Sequence, residues 1–357
     1  MTRFLVWYWS GGGGGSQFAV NLATRLARQF GPEAVTLSLR ADDPTQARAL
    51  RDGVATRLAP IVSTRRQALT SLMSLPESAR VLAEHAAGAD VVIVPMNFAV
   101  AAPLSLTLKR PLVYCAHDPH PHAGDYAAQG QRLTQSLLLW RAQHVVALSD
   151  FAATQLRGVA SKLHTAPLAC VFAPRPAPPP PGEGPVRLLF CGRMIAYKGA
   201  ALLADALERL GRSDAWRLTV AGDGPALTPE LVARFRALGA DVRSCWLAEA
   251  EIDSLMQDHD VVLAPYLEAT QSGVVADALC HGRPCVVTPV GALREQVGAE
   301  QAGWCADAAS AEGLAAAFER ALGDAAARRR KGEAALAMAE AAYGADAWGW
   351  LATLPPP

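Results

Sequence analysis

Residues 186–199 read VRLLFCGRMIAYKG. The run Val186–Cys191 is short and mostly apolar, and it stops at Gly192-Arg193. A run of that length closed by glycine reads as a strand buried on both faces. Lys198-Gly199 follows, and 199–211 has the apolar spacing of a helix. An arginine and a lysine at a strand end, beside a helix N-terminus, can clamp a diphosphate. Arg supplies a planar fork and Lys a mobile point charge. The helix amides add a favourable field of ~0.3–1 kcal/mol for an anion.

Downstream the same rhythm repeats. Strands are expected at 216–221, 260–264 and 284–288, and helices at 228–239, 273–281, 309–322 and 324–343. Upstream lies the proline-rich stretch 173–185, APRPAPPPPGEGP, which removes backbone donors and favours extended geometry. Before it, strands are expected at 3–9, 35–39, 90–95, 111–116 and 143–148, with a helix over 16–30 that stops at Gly31-Pro32. The fold class is therefore α/β: two doubly wound, Rossmann-like domains facing a central cleft. The expected division is a first domain at 1–172, a linker at 173–185, a second domain at 186–335, and a tail at 336–357 that crosses back to the first.

Composition excludes several classes. The chain has 357 residues, 51% hydrophobic and 18% charged, with no net charge. No apolar run approaches the ~20 residues that span a bilayer. The opening Met1–Trp9 is too short and too aromatic for a signal peptide, so a cytoplasmic protein is expected. The cysteines, at 115, 170, 191, 245, 280, 285 and 305, form no CxxC pair and suggest neither a zinc site nor a disulfide framework. Residues 1–172 carry 16 Lys+Arg against 10 Asp+Glu. That excess fits an anionic acceptor, or peripheral contact with the cytoplasmic face of a membrane. Chance distribution of charge over two solvated surfaces stays open. Nothing resembles a nucleic-acid-reading module.

Two further segments follow strand ends. Ala221-Gly222-Asp223-Gly224-Pro225 permits a sharp turn, and a purely structural turn is the competing reading. Then comes PYLEATQSGVVADA, 265–278, which becomes a helix at Ser272-Gly273. The amides of Ser272, Gly273 and Val274 could approach an anion there, and Asp277, one turn on, could accept from ribose hydroxyls.

In this order, GRMIAYKG, AGDGP and PYLEATQSGVVADALCHGRPCVVTPVG resemble the retaining glycosyltransferases of the GT-B fold, and family 4 (glycosyl transferases group 1) in particular. The resemblance covers 186–300. It implies donor-diphosphate binding by Gly192, Arg193 and Lys198, with Gly222, Asp223 and Gly224 alongside. It also implies that Thr270, Gln271, Ser272, Gly273, Val274 and Asp277 hold the donor sugar, phosphates and ribose. The base falls near the backbone of Trp246-Leu247. The family's loop has two glutamates eight positions apart. Here Asp277 takes the second position and Ala269 the first, with Glu268 one step off, as in a subgroup with a TQSG loop. Whether Glu268 or the Thr270–Gln271 backbone replaces the first glutamate stays open.

The first domain matches more weakly. Strand 3–9 runs into Ser10-Gly11-Gly12-Gly13-Gly14-Gly15-Ser16. The family's equivalent loop closes over donor or acceptor, here through Gly12 and Gly13; a flexible loop is the other reading. After strand 111–116 come His117, Asp118, His120, His122 and Asp125. Two prolines among them disfavour a metal cage. The family's active-site histidine aligns with His117, and Asp118 would orient it or meet the acceptor, leaving His117, Asp118 and Glu268 as catalytic candidates; a structural His with an Asp partner is the competing reading. Asp258-His259-Asp260 imitates a metal-binding DxD, yet it precedes a strand and should face away from the crevice. The resemblance implies transfer from a nucleotide-diphosphate sugar to a saccharide or lipid-linked acceptor, with retention, no metal and no cofactor. The competing functions are a silent nucleotide-sugar-binding subunit and a sugar phosphorylase or nucleotide-sugar epimerase.

Overall fold

The fold is that of a computed structural model, which describes residues 2–60, 75–119, 128–175, 184–211 and 214–354. The chain divides into two compact units. The first runs to Pro167 and takes in Asp346–Pro357, and the second holds Leu168–Ala345. Most of the proline-rich stretch, 176–183, lies outside the described residues.

The first unit is built on seven strands: β1 (Phe4–Trp7), β2 (Val35–Arg40), β3 (Ala55–Ala59), β4 (Val91–Val94), β5 (Leu112–Ala116), β6 (His144–Ala147) and β7 (Leu163–Thr165). They pair in parallel in the order β3-β2-β1-β4-β5-β6-β7. Phe4 stands opposite both Val35 and Val91. The order reverses direction between β1 and β4, and a crevice opens there at the strands' C-terminal ends. The tail completes this unit: Trp348 and Leu351 are fully buried. Trp350 stacks on His164 with the rings 3.7 Å apart and nearly parallel.

The second unit repeats the plan with β8 (Val186–Cys191), β9 (Trp216–Ala221), β10 (Asp241–Arg243), β11 (Val261–Ala264), β12 (Cys285–Val287) and β13 (Gly303–Cys305). They are parallel, in the order β10-β9-β8-β11-β12-β13, with the reversal between β8 and β11. Successive side chains of a strand point to opposite faces. Leu188 and Phe190 therefore join one core, with Leu218, Val220, Phe235 and Phe318. Leu189 and Cys191 join the other, with Val262, Ala264, Val275 and Leu279. Both faces are covered by helices, so β8 is apolar and buried on both faces from Leu188 to Cys191, with Arg187 exposed at its start. Seven free cysteines are present, all buried except Cys245.

Candidate donor site at the second switch point

β8 and β11 flank the strand-order reversal of the second unit, and their C-terminal ends carry the two most informative motifs. Gly192 to Gly199 leaves β8, and Pro265 to Ser272 leaves β11. Strands 70 residues apart in sequence thus deliver both loops to one edge of the sheet.

Two glycines make the approach possible. Gly199 has φ +73°, and a Cβ on it would fall 1.8 Å from the Pro265 carbonyl oxygen. Gly222 has φ +145°, and its Cβ would fall 1.9 Å from the Gly192 carbonyl oxygen. Any side chain at either position would push the loops apart. The GDGP turn props the arginine loop further. Gly192 N–H donates to Ala221 O at 3.0 Å, Met194 N–H to Asp223 O at 2.8 Å, and Ala226 N–H to Met194 O at 3.0 Å. The Asp223 carboxylate accepts from Gly224 N–H at 2.8 Å. This turn is a brace for Arg193's loop.

Lys198 lies at the centre. Its Nζ donates to Tyr266 Oη at 2.5 Å and sits 4.3 Å from that ring's centroid. Tyr266 Oη is 3.0 Å from Ser272 Oγ. One chain of polar contacts therefore joins the lysine after β8 to the helix start after β11. A Cβ on Gly192 would lie 3.4 Å from Val274 Cγ2 and 3.9 Å from Lys198 Nζ, so Gly192 borders both. Burial lowers the Lys198 pKa, the nearby Tyr197 and Cys191 raise it, and Arg193 adds a second lowering push. Arg193 itself is exposed and holds no ion pair among the described residues.

The helix Gly273–Cys280 starts differently from expectation. Ser272 is its N-cap: its Oγ accepts from Val275 N–H at 3.2 Å. Its own N–H is taken by Gln296 Oε1 at 2.7 Å, while Gln296 Nε2 donates to Ser272 O at 3.0 Å. The Ser272 amide is therefore not available to an anion. The first-turn amides without a partner among the described residues are those of Gly273 and Val274. Thr270 and Gln271 are buried, whereas Glu268 is exposed on the loop.

Asp277 points to a network that no motif announces. His281 Nδ1 lies 3.5 Å from its carboxylate and 2.9 Å from its carbonyl oxygen. His281 Nε2 lies 3.4 Å from Asp253, and the Arg175 guanidinium lies 3.3 Å from the same carboxylate. Burial raises the Asp277 carboxyl pKa to about 6, against the pull of His281. Burial opposes charge on His281, but the Asp253 and Asp277 carboxylates outweigh it and raise its pKa. Asp253, Asp277 and His281 also place donor atoms within 4.8 Å of one another, the spacing of a metal site. Arg175 already supplies Asp253 with a cation from within the chain.

The base-side pair divides. Leu247 is buried at the start of helix Glu249–Asp258, whereas Trp246 is 63% exposed. The DxD imitation is committed elsewhere. Asp260 accepts from Arg187 N–H and from its guanidinium, both at 2.8 Å, where β11 begins. His259 bridges Leu255 O and Thr219 Oγ1.

In the first unit, Gly12 and Gly13 have φ +65° and +81°, and Gly13 caps the helix Gly14–Phe30 without a side-chain acceptor. Ser16 Oγ donates to the buried Asp43 at 2.5 Å, fixing that helix start against the segment after β2. His117 follows β5, with Nδ1 3.3 Å from Asp118 and its ring edge-on to Phe18 at 5.9 Å. Gln135 holds the Asp118 carbonyl at 2.6 Å. His120, His122 and Asp125 lie outside the described residues.

Comparison with known proteins agrees with this layout. The family model described as Glycosyltransferase Family 4 matches residues 12–169, and that described as Glycosyl transferases group 1 matches 185–324. A glycogen synthase of Mycobacterium tuberculosis is 32% identical over 158 residues, 43% of this chain and 38% of that protein. A GDP-mannose-dependent alpha-(1-6)-phosphatidylinositol dimannoside mannosyltransferase of the same organism is 34% identical over 124 residues, 34% of this chain and 32% of that protein. The chain thus matches well under half the length of these relatives. Among solved structures, Anabaena HepE in complex with UDP and glucose superposes with a TM-score of 0.73 at 18% identity, covering 96% of both chains. Sucrose-phosphate synthase from Thermosynechococcus elongatus superposes at 0.72 and 17%, covering 99% of this chain and 96% of that one. These likenesses show the shared fold.

Proposed function

The chain belongs to the family 4 (group 1) glycosyltransferases of the GT-B fold, and from that premise we propose that it moves a sugar from a nucleotide-diphosphate donor to a saccharide or lipid-linked acceptor. The reading includes retention of anomeric configuration, chemistry without a metal, and peripheral contact of the basic first half with a membrane. UDP, the nucleotide in HepE, is the first donor base to try.

The observation that carries the proposal is the chain from Lys198 Nζ through Tyr266 Oη to Ser272 Oγ, with the exposed Arg193 beside it. Departure of a nucleoside diphosphate develops negative charge on its phosphates. Lys198, held by Tyr266, and the amides of Gly273 and Val274 are in place before the reaction, and together with Arg193 they stabilise that charge as it forms. Preorganised donors of this kind can do the work otherwise done by a divalent cation. Asp277 accepts from the ribose, and the Thr270–Gln271 turn faces the sugar in place of a glutamate. His117, oriented by Asp118, serves the reacting centre, and Trp246-Leu247 serve the base.

Arg193→Ala and Lys198→Ala should each lower kcat by about 10²–10³, as for loss of a transition-state donor. Turnover within threefold of the parent in both variants would remove the diphosphate assignment. Activity that survives EDTA supports the metal-free mechanism, and activity restored only by a divalent cation removes it. One observation favours a second reading. Ala269 is buried where the family loop carries its first glutamate, which suits a subunit that binds donor without turnover. Donor-induced thermal stabilisation without transfer across an acceptor panel would establish that alternative.

A further inference from the structure

In the first unit, helix Ala128–Arg141 packs beside helix Ala101–Ser105 and the loop after it. Arg141 ties the two together, donating to the carbonyls of Ser105, Leu108 and Arg110 at 3.1, 2.8 and 3.0 Å. Lys162 closes the helix C-terminus, donating to Leu139 and Ala142 carbonyls at 2.6 and 2.7 Å. Those two cations are engaged by carbonyls. Lys109, Arg110 and Arg132 are not, and hold no ion pair among the described residues.

Large apolar side chains stand out on the same two elements. Leu133 is 73% exposed, Trp140 71% and Leu106 51%. Leu133 and Trp140 are two helical turns apart and share one side of the helix. Trp140 borders a shallow recess with Lys109, Arg110 and Arg141. The sequence has no Asp or Glu between Asp90 and Asp118, nor between Asp125 and Asp150, so no carboxylate from these segments offsets the cations.

We propose that this face docks on an anionic lipid bilayer. An indole settles at the headgroup level of a membrane, where its ring is shielded and its N–H stays wet. Leucines beside it enter the acyl boundary, and cations around them meet lipid phosphates. A second copy of this chain is a poorer occupant. A two-fold pairing through this face would set Lys109, Arg110 and Arg132 against themselves. The inference rests on the membrane clause of the proposed function and needs no sugar transfer, so its failure leaves the donor chemistry untouched.

The test is cosedimentation of the full chain with vesicles of phosphatidylcholine alone or mixed with phosphatidylglycerol, free of any glycosyl acceptor. Binding is expected only to the mixed vesicles and should weaken as salt rises. The double change Lys109→Glu, Arg110→Glu should lower partitioning at least tenfold, because each cation near an anionic surface contributes roughly fivefold. Trp140→Ser with Leu133→Ser should lower it while leaving the salt dependence in place. Circular dichroism checks that these surface variants keep the parent fold. Three results overturn the proposal: no binding to anionic vesicles, binding unchanged in both variants, or a lipid-free dimer in ultracentrifugation that Trp140→Ser dissolves.

Discussion

At the scale of residues, the most informative group is the carboxyl of Asp277. Burial holds its pKa at about 6, some way above the ordinary carboxylate value near 4. Only the ionised form accepts from two ribose hydroxyls at once. Donor binding should therefore be full above pH 6 and weaken as pH falls through it, with KM rising by nearly tenfold per pH unit below that point. Asp277→Asn, which cannot ionise, should raise KM at pH 7.5 and flatten this profile, with kcat changing much less. Initial rates against donor concentration between pH 5 and 7.5 measure it; a parent KM constant over that window would sink the ribose assignment. Arg193, Lys198 and Asp277 could be singled out as candidates in the sequence because each sits at a fixed offset from a strand end or a helix start. Tyr266, Gln296, Asp253, His281 and Arg175 were not. Their roles depend on contacts made across the fold, with Arg175 and Asp253 lying 78 residues apart. The Ser272 amide was misjudged for the same reason, since its partner Gln296 comes from a later helix.

At the scale of elements, the strands that are mostly apolar after a single exposed arginine were legible almost to the residue, β8 and β9 above all. Burial on both faces leaves no other explanation for such a run. β3, β7, β10 and β13 escaped notice. They read ATRLA, LHT, DVR and GWC, short or polar pieces that become strands through their parallel neighbours. The GDGP turn, ambiguous in sequence, resolves into a support for the arginine loop. Gly222→Ala tests that role. A backbone position open mainly to glycine costs ~1–3 kcal/mol when another residue is forced into it, and the clash with Gly192 O adds to this. Urea denaturation should show a loss of at least that size. Donor affinity should fall as well, because the loop carrying Arg193 loses its brace.

At the scale of the whole molecule, the two units repeat one strand plan, and the chain returns to the first unit at Asp346. The return is anchored by burial. Trp348→Ala should cost about 3–5 kcal/mol, as for a large aromatic truncated in a packed core, read as an earlier unfolding transition in calorimetry. The charge imbalance between the halves was visible in composition, but that Lys109 and Arg110 meet Trp140 at one recess depended on the fold. The returning tail has one more consequence. A protease that nicks the peptide once in the proline-rich segment would separate the polypeptide into two pieces without separating the protein. The later piece would stay rooted in the earlier one through Trp348, Trp350 and Leu351, and the two should travel together until denaturant draws those side chains out.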